Sequence, residues 1–407
     1  MAVVKPFKAV RPTADKAHLV ASRSYVSYTK NQLRSKLHEN PYSFLHIIHP
    51  DLGAHKLHKA ENLEKRFELV KNKYHEFIHE EILVREEKPC FYIYRQIKAG
   101  HPFTGLIAAV SVDDYNNGKI KIHEQTLSKR ESTFTKYLDI TDINAEPVLL
   151  MSERSSELEA IYAKYLDERP SYDFTTTNRD RHQLWIVDQA ADIKAIESIY
   201  ASIDALYIAD GHHRSASSAS LCERRRMESK EYSGNEPWNY FLGYILDENT
   251  VRIYEFNRLV KDLNGNSKDE LISKIEEHFY VNEAPEYFTP SQKGEFSMYM
   301  DKTWYALNLK IHNDILDAQV LSELILTPIF GIKDLRKDKR VSFIEGPKGP
   351  GEMKTVVDKK QFQVAFGLYP VAIDELKHVA DNHGTMPPKS TWVEPKLRSG
   401  LIVYELS

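Results

Sequence analysis

The segment from Tyr207 to Arg214 carries residues suited to bind a phosphate or another anion. An apolar run of strand length ends there in Asp210 and Gly211, and the following residues have the composition of a helix. Free N–H groups in the first turn of a helix attract anions, and Arg214 can pair with two phosphate oxygens. Cations oppose the helix dipole at this end, so two histidines and an arginine favour a bound anion. The predicted anion-binding residues are Gly211, His212, His213, Arg214 and Ser215, and residues 210–215 are called the corner.

Two other interpretations of the corner stay open. In the first, Asp210 caps the helix and the histidines are ordinary loop residues in contact with solvent. In the second, His212 and His213 ligate a metal ion, although adjacent histidines rarely converge on one ion.

A second candidate group is the carboxylate of Glu124, which ends a segment that alternates between polar and apolar residues, 119–124. Residues two apart in a strand share a face, so Ile122 and Glu124 are expected together on the buried face. Burial raises the pKa of a carboxyl group and a nearby cation lowers it, so Glu124 is a plausible general base. The alternative is an ordinary carboxylate at the end of a strand, paired with Lys129 or Arg130.

The third candidate is the run Met386–Gly400, in which small and polar residues surround one tryptophan. A loop that prolines make rigid can present cations to an anion at a low entropy cost. The cations of this run are Lys389, Lys396 and Arg398. A well-ordered surface loop before the last strand explains the same residues.

Helices and strands that could position these groups are mixed along the chain, without an internal repeat. The apolar runs 184–187 and 205–209 flank a segment with helical spacing, 190–200, and this order favours a layered fold. The polar stretch 264–267 is the best candidate for a lobe boundary, which divides the chain into lobes 1–265 and 266–407. Further predictions are a helix over 63–78, strands over 91–97, 104–112 and 119–124, a helix from 215 to 228, and a hairpin of 240–246 with 251–256.

The composition indicates a soluble globular protein. The 407 residues include 42 % hydrophobic and 28 % charged side chains, with a formal net charge of −4. This balance argues against intrinsic disorder and against a general nucleic-acid binder, which would have a basic excess. Two cysteines favour a reducing compartment, and no apolar run has the length of a membrane helix. A cytoplasmic protein without a membrane or nucleic-acid partner is expected.

Several short words spread along the chain resemble one bacterial family, the domain of unknown function 1015. They include Asn40–His46, His123–Thr126, Asp210–Arg214 and Met386–Gly400. Members of that family are described as serine kinases that use inorganic pyrophosphate. The corner also resembles the phosphate-binding corner of the ParB/sulfiredoxin superfamily, which includes an archaeal free-serine kinase. The resemblance implies an α+β protein, with a ParB/sulfiredoxin-like mixed α/β core and a C-terminal α+β lobe.

The resemblance also implies phosphoryl transfer to the hydroxyl of free L-serine, which gives O-phosphoserine. In this hypothesis the corner binds the donor, a pyrophosphate or a nucleotide, and Glu124 takes the serine proton. Mg²⁺ bridges the donor oxygens with Asp210 as its protein ligand. The catalytic residues are then Glu124, His123 and Asp210, and the substrate-binding residues are Lys389, Lys396, Arg398, Thr126 and Arg130.

Two alternative functions and one departure from the family pattern accompany this hypothesis. The alternatives are a phosphoserine phosphatase and a nucleotide-responsive ParB-like binding protein. Many relatives carry a proline–tyrosine–aspartate word after the Val-Ala-Ser near the N-terminus, where this chain has Ala21–Val26 instead. This chain lacks that word, and Arg23 offers an extra cation instead.

Overall fold

The computed structural model describes residues 2–24, 27–50, 62–311 and 314–407, and these residues form a mixed fold of helices and strands. The strands are β1 (Val4–Lys5), β2 (Val10–Pro12), β3 (Ser22–Arg23), β4 (Leu83–Arg85), β5 (Phe91–Lys98), β6 (His101–Ser111), β7 (Ile120–Lys121), β8 (Ile143–Asn144), β9 (Val148–Ser152), β10 (Tyr172–Thr175), β11 (Arg181–Val187), β12 (Leu206–Asp210), β13 (Tyr240–Asp247), β14 (Arg252–Val260), β15 (Phe279–Ala284), β16 (Glu295–Met300), β17 (Thr303–Leu309), β18 (Val341–Glu345), β19 (Val364–Gly367), β20 (Thr391–Glu394), β21 (Arg398–Ser399) and β22 (Tyr404–Glu405).

The helices of the described residues are α1 (Ala17–Val20), α2 (Lys30–Glu39), α3 (Leu45–Ile48), α4 (Leu63–His79), α5 (Val112–Asn116), α6 (Ser128–Thr141), α7 (Ser156–Leu166), α8 (Ala190–Ser202), α9 (His212–Glu228), α10 (Lys268–Glu276), α11 (Asp317–Leu321), α12 (Gly349–Asp358) and α13 (Ile373–Asp381). This content confirms the predicted mixture of helix and strand. Among these helices, none combines the length and the apolar character that crossing a bilayer requires.

The chain divides into two compact units. Unit 1 comprises Met1–Val251 and Pro395–Ser407, and unit 2 comprises Arg252–Glu394. The boundary predicted near residue 265 therefore lies inside unit 2, because β14 starts at Arg252 and pairs with β18, β19 and β20. The last residues belong to unit 1 because β21 pairs with β3 and β22 pairs with β8.

Unit 1 is built on a nine-stranded sheet in the order β10-β11-β5-β6-β13-β9-β12-β7, with β1 paired to β6. Apolar side chains from the central strands form the core beside this sheet, among them Val110, Leu150, Ile208 and Phe241, which are fully buried. The predicted hairpin between 240–246 and 251–256 was wrong. Strand β13 pairs with β6 and β9 instead, since each neighbour continues its apolar surface over five to seven residue pairs.

Helix α4 shows how the apolar spacing of the sequence becomes packing. Its predicted apolar stripe places Phe67, Val70, Tyr74 and Phe77 on one buried face. Asn62 caps the helix by accepting a hydrogen bond from the N–H of residue 65. The helix predicted over 63–78 is therefore confirmed, as are the strands now seen as β5 and β6.

Unit 2 is built on a seven-stranded sheet in the order β15-β17-β16-β19-β14-β18, with β20 paired to the outer part of β14. Its main core contains Val260, Met298, Leu321 and Phe366, all nearly or fully buried. The long strand β14 thus runs from this core at Val260 out to its pairing with β20.

Candidate functional site

A single glycine turns strand β12 into helix α9. Gly211 has a φ of +111°, a conformation that L side chains rarely adopt. A Cβ atom at this position would lie 3.1 Å from Nε of Arg214. The carbonyl of Gly211 accepts the N–H groups of Arg214 and Ser215, at 2.8 and 3.1 Å. The N–H groups of His212 and His213 lie before the first of these hydrogen bonds and have no helical carbonyl to accept them. They therefore face outward at the start of the helix.

Two cations surround the carboxylate of Asp210. Its Oδ2 lies 3.1 Å from Nζ of Lys396 and 3.8 Å from Nη2 of Arg214, whose Nη1 donates to the carbonyl of Pro147. Burial raises the pKa of the Asp210 carboxyl, but the charges of Lys396 and Arg214 outweigh it and lower the pKa to about 2. The structure thus brings Lys396, predicted as a substrate ligand, to the corner.

The geometry of His212 fixes its tautomer and its orientation. Its Nε2 accepts the backbone N–H of His123 at 3.4 Å, so Nδ1 carries the ring proton. Burial lowers the pKa of His212 well below its usual value, which keeps the ring neutral. Nδ1 lies 3.8 Å from Oε2 of Glu124. The predicted general base therefore stands beside the first residue of α9.

Glu124 reaches this position from a loop. Strand β7 covers only Ile120 and Lys121, and its strand pairing is with β12. Beyond β7 the predicted alternation of buried and exposed residues fails, since Ile122, expected to be buried, is 40 % exposed and His123 is 1 % exposed. The ring of His123 packs edge-on against that of His212, with their centres 4.4 Å apart. The contact between these two rings, and not a continuous strand, therefore positions Glu124 next to α9.

The two histidines of the corner, and His123 packed against it, are neutral rather than cationic. Burial lowers the pKa of His123 to about 4, although Asp210 opposes the shift. Burial, followed by the charge of Arg130, lowers the pKa of His213. The expectation of three cations at the start of the helix was therefore wrong, because the solvent that would stabilise the charged rings is excluded. Arg214 is the charged group of the three at neutral pH.

Two further predicted residues, Ser215 and Thr126, make local hydrogen bonds, and a third, Arg130, lies at the surface. Ser215 donates its hydroxyl to the carbonyl of His212 at 3.0 Å. Thr126 donates to Oε2 of Glu131 at 2.9 Å, and Arg130 is exposed near His213. Sequence reasoning missed Glu131, whose Oε1 accepts the hydroxyl of Ser220 on α9 at 2.7 Å. Glu131 thereby joins the loop of Glu124 to α9.

Arg398 and Lys389 lie in different units of the chain. Arg398 is 7 % exposed, and it lies 3.7 Å from Asp180 and 3.3 Å from the hydroxyl of Thr176. In the short ladder of β21 and β3 it stands opposite Arg23. Lys389 belongs to unit 2, where its Nζ is 5.0 Å from the centre of the Phe256 ring. Of the departing word near the N-terminus, residues 25 and 26 lie outside the described residues.

A magnesium site built from protein groups alone is not found in the part of the chain that the structure describes. There, no three side chains of His, Cys, Asp or Glu converge closely enough to hold a metal ion. Asp210 supplies one carboxylate, which already faces two cations. The donor set fits a magnesium ion only together with phosphate oxygens, the usual way in which proteins hold this ion with one or two carboxylates.

The buried histidines predict a stability that depends on pH. His123 titrates near 6.5 when unfolded and about 4 when folded, so the unfolded chain binds more protons between these values. Its contribution is full above pH 6.5 and is lost as the pH falls toward 4. Between pH 7 and pH 5, the wild type is expected to lose roughly 2 kcal/mol more unfolding free energy than His123→Phe, because phenylalanine does not bind a proton. Urea unfolding at both pH values measures this difference, with the exposed His79→Ala as control. If His123→Phe loses as much unfolding free energy as the wild type, a neutral, buried His123 is contradicted.

Comparisons with known proteins give one family and several distant structures. The family model described as protein of unknown function (DUF1015) matches residues 4–325. A mutant free serine kinase in complex with AMP is 16 % identical, with a TM-score of 0.38, over 72 % of this chain and 91 % of that chain. SbnI with a C-terminal truncation, from Staphylococcus aureus, is 14 % identical, with a TM-score of 0.39, over 72 % and 85 %. A conserved hypothetical protein from Pyrococcus furiosus is 15 % identical, with a TM-score of 0.35, over 72 % and 91 %. No curated protein matches the chain significantly.

Proposed function

The chain belongs to the DUF1015 family, and we propose that it phosphorylates the hydroxyl of free L-serine, with inorganic pyrophosphate as the donor. The observation that carries the proposal is the position of Glu124, whose Oε2 lies 3.8 Å from Nδ1 of the first residue of α9. A carboxylate that can accept a proton thus stands beside a helix start that can bind an anion. Both groups fit the transfer of a phosphoryl group to an alcohol.

In the proposed reaction the corner holds pyrophosphate and Glu124 activates serine. The outward N–H groups at the start of α9 and the guanidinium of Arg214 bind the donor oxygens. Glu124 removes the hydroxyl proton as the serine oxygen bonds to phosphorus, and the bond to the departing phosphate breaks. Such a transfer depends on positioning and charge stabilisation, so it needs no nucleophilic side chain of the enzyme.

Lys396 and Asp210 supply the electrostatic setting for this step. The cation–carboxylate pair is 3.1 Å long, and Arg214 adds a second cation at 3.8 Å. The two cations are placed to bind the oxygens of a polyanionic donor. Magnesium, when bound with the donor, would neutralise phosphate charge, with Asp210 as its protein ligand.

A donor screen with the full chain tests the proposal. Purified protein is incubated with L-serine, MgCl₂ and one donor at a time: pyrophosphate, ATP, ADP, polyphosphate or none. Mass spectrometry detects phosphoserine, and phosphorus NMR follows the donor. We expect phosphoserine with pyrophosphate and none without a donor. Phosphoserine from a nucleotide alone would overturn the choice of donor, and its absence from every arm would overturn the kinase function.

The reverse chemistry is tested in the same assay. Phosphoserine is incubated alone, without a donor or an acceptor. Release of free phosphate under these conditions would identify a phosphoserine phosphatase, in which Glu124 activates water instead of serine. Formation of serine and pyrophosphate only when phosphate is added, with consumption of that phosphate, would instead reflect the reversible kinase reaction.

A further inference from the structure

One face of the unit 2 sheet changes from an apolar core to a strip of aromatic and charged side chains. Phe256, Arg258 and Val260 alternate along β14 and therefore share a face. The pairing of β14 with β18 places Phe343 opposite Arg258 and Glu345 opposite Phe256. Paired residues of neighbouring strands project to the same side of a sheet. On this face, the side chains of Phe256, Phe343 and Trp392 form what is called the aromatic strip. Arg258 lies at the end of the strip nearest Val260.

The guanidinium of Arg258 is fully buried and lacks a charged partner. Nη1 donates to the carbonyl of Phe256, and the guanidinium carbon lies 5.2 Å from the centre of the Phe343 ring. Among the described residues, none accepts a hydrogen bond from Nε or Nη2. Burial lowers the pKa of Arg258 to about 9, so the charge persists at neutral pH. A buried cation without a counter-ion is unfavourable, which makes an unused pair of donors here unusual.

The two unused N–H groups have a geometry that fits one class of ligand. Nε–H and Nη2–H lie on one edge of the planar guanidinium, and this edge binds both oxygens of a carboxylate or phosphate. Glu345, the nearest acidic residue by register, is 2.8 Å from Lys348 instead. The described residues supply no anion for this edge, and protein atoms cover it, so an anion would have to displace a neighbouring side chain to pair with Arg258.

A second cation lies at the outer end of the aromatic strip. Lys389 is exposed, with Nζ 5.0 Å from the Phe256 ring, and that ring is 6.4 Å from Phe343. The rings thus lie between two positive groups. We propose that the aromatic strip is a binding site for a small oxyanion, a carboxylate or a phosphate, which pairs with Arg258 and is attracted by Lys389. The residues of this site all belong to unit 2, and the proposal does not rest on the proposed kinase function.

Calorimetric titration with inorganic phosphate, and separately with acetate, tests the site at constant ionic strength. Because the corner is also expected to bind phosphate, the titrations compare wild type, Arg258→Met, Arg214→Ala and the double variant. We expect Arg258→Met to weaken one phosphate site by about tenfold or more and Arg214→Ala to weaken the other. The exposed Arg336→Met serves as the control. Loss of binding in Arg214→Ala alone, with Arg258→Met unchanged, would overturn the aromatic-strip site and leave the corner intact.

Denaturant unfolding separates a ligand-binding arginine from a structural one. Without anion, Arg258→Met is expected to unfold at the same or a higher urea concentration, because a well-packed apolar side chain replaces an uncompensated charge. Added phosphate should then raise the midpoint of the Arg214→Ala protein but not that of the double variant. A large loss of stability in Arg258→Met without anion would overturn the proposal. Lys389→Met, at an exposed position, must also weaken anion binding, and unchanged binding in this variant would contradict the role of Lys389.

Discussion

Replacing Glu124 by glutamine is expected to lower kcat for phosphoserine formation by about 100- to 10,000-fold, the range that a general base contributes. Glutamine keeps the size and most of the polarity of the side chain but cannot accept the serine proton. The carboxylate lies 3.8 Å from Nδ1 of His212, and in the proposed reaction it accepts the serine proton and binds no donor oxygen. Donor affinity should therefore stay near the wild-type value.

Steady-state kinetics and pyrophosphate titration of the same preparation measure the two quantities separately. Glu157→Gln, on the first turn of α7 in the same unit, is the matched control and should retain the wild-type rate. Urea unfolding establishes that both variants fold alike. A Glu124→Gln enzyme with a rate within about threefold of wild type would remove this residue as the base, since general bases contribute far more.

The sequence predicted the corner because its parts are local. An apolar strand, an Asp-Gly turn and a helix with polar first residues follow each other between residues 206 and 228, and each has its own signal. The helix starts at His212 instead of Ser215, because Gly211 permits an immediate turn. Local patterns likewise gave α4 and the strands β5 and β6.

The features that the sequence did not reveal depend on residues far apart in the chain. Lys396 pairs with Asp210 across 186 positions, and no periodicity encodes such a contact. The neutral state of His123 and His212 follows from the packing of two segments 89 residues apart. Strand β7 ends early for the same reason, because the contact between the two rings outweighs the alternation of the 119–124 segment. The charge state of these histidines therefore depends on their burial, which the sequence alone does not specify.

Strand pairing was the other source of error. Strands β13 and β14 are separated by four residues, and short connections usually join paired strands. Here β13 completes the sheet of unit 1, and β14 starts the sheet of unit 2. The connection thus crosses from one unit to the other, and its turn residues resemble those of a hairpin. Apolar surface on both strands, rather than the turn, determines which partners they take.

Gly211→Ala is expected to raise the KM for the donor by about tenfold or more, because in the proposed reaction Arg214 supplies charge-assisted hydrogen bonds to the donor. The new Cβ would lie 3.1 to 3.2 Å from Nε, Cζ and Nη2 of Arg214. The guanidinium must then shift by a few tenths of an ångström, which changes its contacts with Asp210 and with the carbonyl of Pro147 that orient it. A φ of +111° also strains alanine by about 1–2 kcal/mol, so the free energy of unfolding should fall.

Gly118→Ala separates the two effects of this substitution. Gly118 has a φ of +73°, and a Cβ there would meet no atom within 4 Å. The control therefore carries backbone strain without a contact to Arg214, and it should lose stability while keeping the donor KM of wild type. Urea unfolding and donor titrations of both variants decide the matter. Equal KM values for the two variants would show that the position of Arg214 does not control donor binding, and the outward N–H groups of α9 would then have to bind the phosphate without it.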